Sequence, residues 1–190
     1  MEHTVQELIS IVYRYYPVGI WDENPAYWAS PEHRRKVAAI SSSAQFDTKW
    51  HAVIDRLKSR FQDCGFEDWT HLRIVPSSID VCYYGRLLLP PSPNGLEHIV
   101  TGMASILVPY YSLFCRTTLS DGGPVSMARY QSMIIEEPYF RGFGEEIERA
   151  FGYGYMPPEV GLAIAPHVIA LNQVFGTATL YDCLFTDWRY

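Results

Sequence analysis

From His98 to Glu137 the chain reads HIVTGMASILVPYYSLFCRTTLSDGGPVSMARYQSMIIEE. Three runs rich in apolar, β-branched and aromatic residues are broken at Val108-Pro109-Tyr110 and at Ser120-Asp121-Gly122-Gly123-Pro124. Tyr111, Leu113, Cys115, Thr117 and Leu119 alternate with Ser112, Phe114, Arg116 and Thr118. A period of two sends the two sets to opposite faces of a strand. The Asp-Gly-Gly-Pro segment has little side-chain bulk where a tight turn needs positive φ, so it suits a hairpin. A chain holding this stretch must build around a sheet, and the expectation is a three-stranded antiparallel core over these residues.

Helical signals surround that core. Thr4-Val5-Gln6-Glu7 is a capping-box sequence, in which hydroxyl and carboxylate each satisfy a backbone N–H of the other. Val5, Leu8, Ile9, Val12 and Tyr16 follow at helical spacing until Pro17, which restricts the residue before it. Ser30-Pro31-Glu32 opens a second helix with an N-cap serine and proline at the first position. Its Arg34, Arg35 and Lys36 point in different directions on a helix and are expected on a solvated face. Ser41-Ser42-Ser43 is a point of bending or breakage. Phe46, Trp50, Val53, Ile54, Leu57 and Phe61 mark the strongest helical stripe, with Gly65 as its stop. His71–Val75 and Ile79–Leu89 read as strands, Pro90 to Gly95 as a stiff turn. Phe140, Phe143, Ile147 and Phe151 predict a later helix ending at Gly152. The tail from Pro166 to Tyr190 is apolar, and Leu180–Phe185 is compatible with strand or helix. With no linker or repeat in 190 residues, the expectation is one domain, residues 1–190, of α+β class: a mainly antiparallel sheet with N-terminal helices and one later helix packed against it.

Charge is unevenly placed. Residues 1–60 hold 8 Lys/Arg and 7 Asp/Glu, whereas residues 61–190 hold 7 and 14, within a net charge of −6. An acidic balance argues against non-specific binding to nucleic acid or anionic membrane. It also fits an acidic face for a basic partner. Aromatics reach 15%, with 14 Tyr and 5 Trp, residue types that anchor protein interfaces. MEHTVQELIS has neither the basic nor the apolar region of a secretion signal, and no apolar run has membrane-spanning length. Cys64, Cys82, Cys115 and Cys183 form no C-x-x-C pair and read as free thiols. The expected compartment is the cytoplasm.

No catalytic motif emerges. Arg141-Gly142-Phe143-Gly144-Glu145-Glu146-Ile147 has two glycines of a dinucleotide loop, but it lacks the third and puts glutamates where a pyrophosphate would sit. None of the six histidines shares metal-ligand spacing with another on one element. Cys115 or Cys183 with His98 or His167 and Asp182 is the one Cys–His arrangement left open. No metal or cofactor is expected.

The chain resembles the immunity proteins of bacterial polymorphic-toxin and type VI secretion systems, in particular the immunity protein 52 group. The resemblance rests on Tyr15-Tyr16-Pro17, on Tyr27 with Ser30-Pro31-Glu32, on the Trp50 helix, and on Phe175-Gly176-Thr177-Ala178-Thr179-Leu180-Tyr181-Asp182-Cys183-Leu184-Phe185. It implies a non-catalytic inhibitor that binds a co-encoded toxin stoichiometrically before the toxin acts on its own host. For this group it implies a nuclease of restriction-endonuclease-like fold. A nuclease needs a basic face to hold phosphates, and an acidic inhibitor would speed encounter with it.

The expected partner-binding residues are Trp21, Asp22, Glu23, Tyr27 and Trp28 in the 17–30 loop, with Glu145, Glu146 and Glu148 on the later helix. Aromatics would supply anchors and carboxylates steering. Two alternatives stand beside this reading. One is a small enzyme or ligand-binding protein with a pocket between sheet and helices. The other is a homo-oligomer joined by exposed aromatics.

Overall fold

The first helix starts where Thr4 and Glu7 cap each other: the Thr4 N–H donates to the Glu7 carboxylate at 2.7 Å, and the Glu7 N–H donates to Thr4 Oγ1 at 3.2 Å. This helix, α1 (Val5–Tyr15), buries Leu8, Ile9 and Val12. The computed structural model describes residues 3–70, 80–91, 96–119, 137–170 and 173–186. The stretch read as a loop contains a short helix, α2 (Pro25–Ala29), with Asn24 accepting from the Ala26 N–H and Pro25 at the first position. Ser30 then caps α3 (Pro31–Ser42) by accepting from the His33 N–H.

The serine triplet does end α3. The hydroxyls of Ser41, Ser42 and Ser43 donate to the carbonyls of Val37, Ala39 and Ile40, competing with the backbone ladder. A 3-10 turn, Ser43–Phe46, leads into α4 (Asp47–Arg60). Trp50, Val53, Ile54 and Leu57 are its buried stripe. Two expectations need correction. Gly65 does not stop α4, which ends at Arg60 with Phe61 as its cap. Gly65 instead opens a strand, β1 (Gly65–Asp68), opposite Leu88, whose side chain would lie 3.3 Å from a Cβ placed on Gly65. Lys36 is not on the solvated face but 5% exposed, its Nζ 4.4 Å from the Tyr16 ring centroid. Its aliphatic stem is covered while its charge lies over a ring face.

Strands β1, β2 (Cys82–Leu88), β3 (Leu96–Ser105), β4 (Tyr110–Leu119) and β5 (Gly154–Tyr155) form one sheet in chain order. All neighbours are antiparallel except β4 and β5, which are parallel. The break at Val108-Pro109 is the β3–β4 turn. The third run of the expected core, the Asp-Gly-Gly-Pro turn, and the His71–Val75 strand lie outside the described residues.

Alternation along the strands serves two cores. Tyr83, Leu87, Val100, Ala104, Tyr111 and Leu113 face α4 and α5 (Glu137–Phe151), meeting Trp50, Leu57, Phe143 and Ile147. Cys82, Tyr84, Met103 and Tyr110 face α1, α6 (Pro158–Gly161) and α7 (Leu180–Leu184). The sheet is thus the middle of three layers.

The two glycines flanking Phe143 have a packing role. A Cβ on Gly142 would stand 2.5 Å from the Phe61 ring, and one on Gly144 would stand 2.8 Å from the Tyr111 hydroxyl. Glycine lets α5 approach both α4 and β4. At the end of α5, Gly152 has φ +71°, a conformation that other residues adopt only with strain. In the tail, Thr179 and Asp182 form a second capping box, which starts α7.

Candidate partner-binding surface

The 17–23 segment is anchored by the Gly19 N–H donating to the His167 carbonyl at 2.8 Å. This brings Trp21 onto Phe175, with centroids 4.9 Å apart and planes 18° from parallel. Trp21 is nonetheless 52% exposed. Offset stacking on one face fixes the indole's orientation and leaves the other face to solvent. Val18 and Val174, close by in the same two segments, are also exposed. Trp28 turns back over the loop and donates its Nε1–H to the Asp22 carbonyl at 2.6 Å. Glu23 is exposed, and Asp22 is partly so.

Tyr27 departs from the expected set. It is 3% exposed, and burial, with Cys183 and Asp22 nearby, holds its phenol well above its usual range. Tyr27 and Trp28 are adjacent on α2, so one faces inward and the other outward. Tyr27 anchors the loop and cannot touch a partner.

The α5 carboxylates are turned to internal work. Glu146 is 4% exposed and accepts from Arg56 of α4 at 2.6 Å and from Arg149 at 2.8 Å. Glu145 pairs with Arg60 at 2.6 Å, and that guanidinium holds its carboxyl below the usual range. Glu148 accepts from the Tyr111 hydroxyl at 2.6 Å. Glu146 is therefore withdrawn from any interface and Glu145 is neutralised by Arg60, whereas Glu148 stays exposed on the α4–α5 seam. It belongs to the layer opposite α1 and α7, so it does not join the Trp21 surface.

Of the Cys–His combinations, those joining His98 to Asp182 or Cys183 are separated by the sheet. His98 hydrogen-bonds Thr117 at 3.1 Å on the α4/α5 face of the sheet. Asp182 and Cys183 belong to α7 on the other side, where the Asp182 carboxylate accepts from Thr179 N–H and Oγ1. Among the described residues no three His, Cys, Asp or Glu side chains converge on a metal-sized point. No helix among them is long and apolar enough to cross a membrane.

Sequence reasoning missed one feature. A cleft of about 600 Å³ opens between the α3–α4 corner and the β1–β2 ribbon, lined by Asp47, Trp50, His51, Asp68 and Tyr83 among others. The Tyr83 hydroxyl donates to Asp47 Oδ1 at 2.8 Å and lies 2.7 Å from the Ser43 carbonyl. Trp50 Nε1–H and the Thr70 N–H both donate to Asp68 Oδ1, at 3.2 and 3.0 Å. The Trp50 stripe marked a core helix, and only the fold brings Asp68 across to it.

Fold and surface together define an α+β protein of three layers that displays a rigid Trp–Phe stack beside carboxylates. Comparison of the chain with family models, curated proteins and solved structures finds no match in any of the three.

Proposed function

We propose that this chain is an immunity protein that binds a cognate secreted toxin stoichiometrically and neutralises it in the cytoplasm of the producing cell. The observation that carries the reading is Trp21: a large aromatic, half exposed, locked in orientation by Phe175 and flanked by Asp22 and Glu23. A pre-oriented aromatic loses little entropy on docking and is the typical centre of an interface hot spot. The carboxylates beside it complement a basic partner face, as on a nuclease that must hold phosphates. The partner is therefore a protein toxin of nuclease type, contacted through the 17–28 loop and the 173–176 turn.

The test is co-expression. The toxin encoded beside this chain should kill a host when expressed alone, and the chain should restore growth and co-purify with it in a fixed ratio. Loss of rescue with Trp21→Ala, in a variant that keeps its thermal midpoint, would assign the effect to this surface. Failure of the wild-type chain to rescue would overturn the reading.

A further inference from the structure

Seven large apolar side chains stand exposed among the described residues, and five of them come from three segments that meet: Val18 and Trp21, Leu162 and Ile164, and Val174. Backbone hydrogen bonds tie the segments together. The Gly19 N–H donates to the His167 carbonyl at 2.8 Å, that of Gly176 to Val168 at 3.1 Å and that of Leu180 to Ala163 at 2.9 Å, with Ile164 bridged to Thr179. A sixth, Trp28, bonds the Asp22 carbonyl of the first segment. Single apolar residues scattered over a surface need no cause, but a concentration like this marks an interaction surface.

Charge says what covers it. Residues 17–24, 157–168 and 174–179 contain Asp22, Glu23 and Glu159 and no lysine or arginine. Glu23 and Glu159 are exposed and Asp22 is partly so, and none of the three forms an ion pair among the described residues. Asp22 and Glu23 adjoin Trp21. Glu159 sits at the other end, in α6, where the Pro158 carbonyl accepts from the Leu162 N–H at 2.9 Å. Arg34 and Arg35 of α3 are engaged instead with the carbonyls of Ala29 and Arg14. A second copy of the chain docked here would set carboxylate against carboxylate, because a two-fold contact pairs the patch with itself. A partner that is apolar at its centre and basic at its flanks meets no such penalty.

We infer that this surface runs from the Trp21 loop to the α6 corner and receives an apolar ridge of a partner protein flanked by lysines or arginines, with Leu162, Ile164 and Glu159 as contact residues beside Trp21. The inference rests on the reading that the Trp21 surface meets a partner protein, and not on that partner being a toxin.

The experiment is methyl and indole NMR of the whole chain, first alone at rising concentration and then titrated with two synthetic helical peptides, one of leucine and lysine and one with glutamate in place of lysine. The signals of the Trp21 Nε1–H and of the Leu162 and Ile164 methyls should not move with protein concentration. All should shift saturably with the Leu/Lys peptide and far less with the Leu/Glu peptide. Leu162→Ser and Glu159→Lys should each weaken that binding by about threefold or more, whereas Trp69→Ser, outside the patch, should leave it unchanged. Movement of these signals with concentration would overturn the partner in favour of a second copy. Equal shifts from both peptides would overturn the basic flanks, and a Trp21 shift without Leu162 and Ile164 would overturn the extension to α6. No saturable shift at any of the three would overturn the surface. The immunity reading fails by a different result, the wild-type chain not rescuing cells from the neighbouring toxin, and that result leaves the peptide titrations standing.

Discussion

Phe143 of α5 packs against Gly102 of β3 so closely that a Cβ on Gly102 would stand 2.6 Å from the edge of its ring. Phe143 is fully buried and has nowhere to go. Gly102→Ala should therefore lower stability by about 1–3 kcal/mol, the range for overpacking a filled core. In urea unfolding, the midpoint should fall with an unchanged slope. Phe143→Leu in the same background should recover part of the loss, since it removes the atoms the methyl strikes.

Glu146 and Glu145 are neighbours in sequence with opposite expected consequences. Glu146→Ala removes the buried carboxylate that pairs with the guanidinium groups of Arg56 and Arg149. Those arginines are 35% and 60% exposed, so solvent recovers part of their hydration. The loss should be about 1–3 kcal/mol, below that of a fully buried pair. Glu145→Ala removes an exposed ion pair, which salt screens and which contributes little. Its thermal midpoint should match wild type in 1 M NaCl, while the Glu146→Ala deficit persists.

Tyr83 and Tyr111 share an alkaline limit with Tyr27 and the buried Cys82 thiol, all held above their ordinary values. Burial, reinforced by hydrogen bonds to Asp47 and Glu148, raises the Tyr83 and Tyr111 phenols above their ordinary value of 10.0. Below that value both states hold the protons, and this stabilisation is fully present. As pH rises past it the unfolded phenols ionise while the folded ones do not, so unfolding releases protons and stability falls. Urea midpoints should be flat up to about pH 8, decline above about pH 9 as the unfolded Cys82 thiol ionises, and fall more steeply above about pH 10. Tyr83→Phe with Tyr111→Phe should make the fall above about pH 10 shallower without removing it. A steep loss beginning near neutral pH would show that other groups set the limit.

Much of the fold could be read locally. Thr4, Ser30 and the serine triplet set helix ends through side-chain hydrogen bonds made within a few residues, and the 98–119 alternation carries two central strands. The β1 strand could not be read that way, because Gly-Phe-Glu-Asp is short and polar and pairs only through partners some twenty residues on. At the site, Trp21, Asp22 and Glu23 were legible as a loop, but Phe175 was not, since nothing near it in sequence points to Trp21. Glu146 was legible in principle. It sits between Phe143 and Ile147 on the buried helix face, and a carboxylate there needs a cation from the neighbouring helix.

Trp21→Ala separates binding from folding. The indole is half exposed and stacked on one side only, so its loss should shift the thermal midpoint by no more than a few degrees. Its emission in the free protein should be red-shifted relative to buried Trp50 and should move to the blue when a partner covers it. An unchanged spectrum in a saturated complex would place the partner elsewhere.

The most direct measurement is the dissociation constant of the complex with the toxin encoded beside this chain, taken by calorimetry for the wild type and for Asp22→Lys/Glu23→Lys. The account predicts a one-to-one complex whose affinity falls at least tenfold, about 1.4 kcal/mol, in the double variant, with most of the loss in the association rate at low salt. An identical constant for the two proteins would contradict the claim that this loop meets the partner.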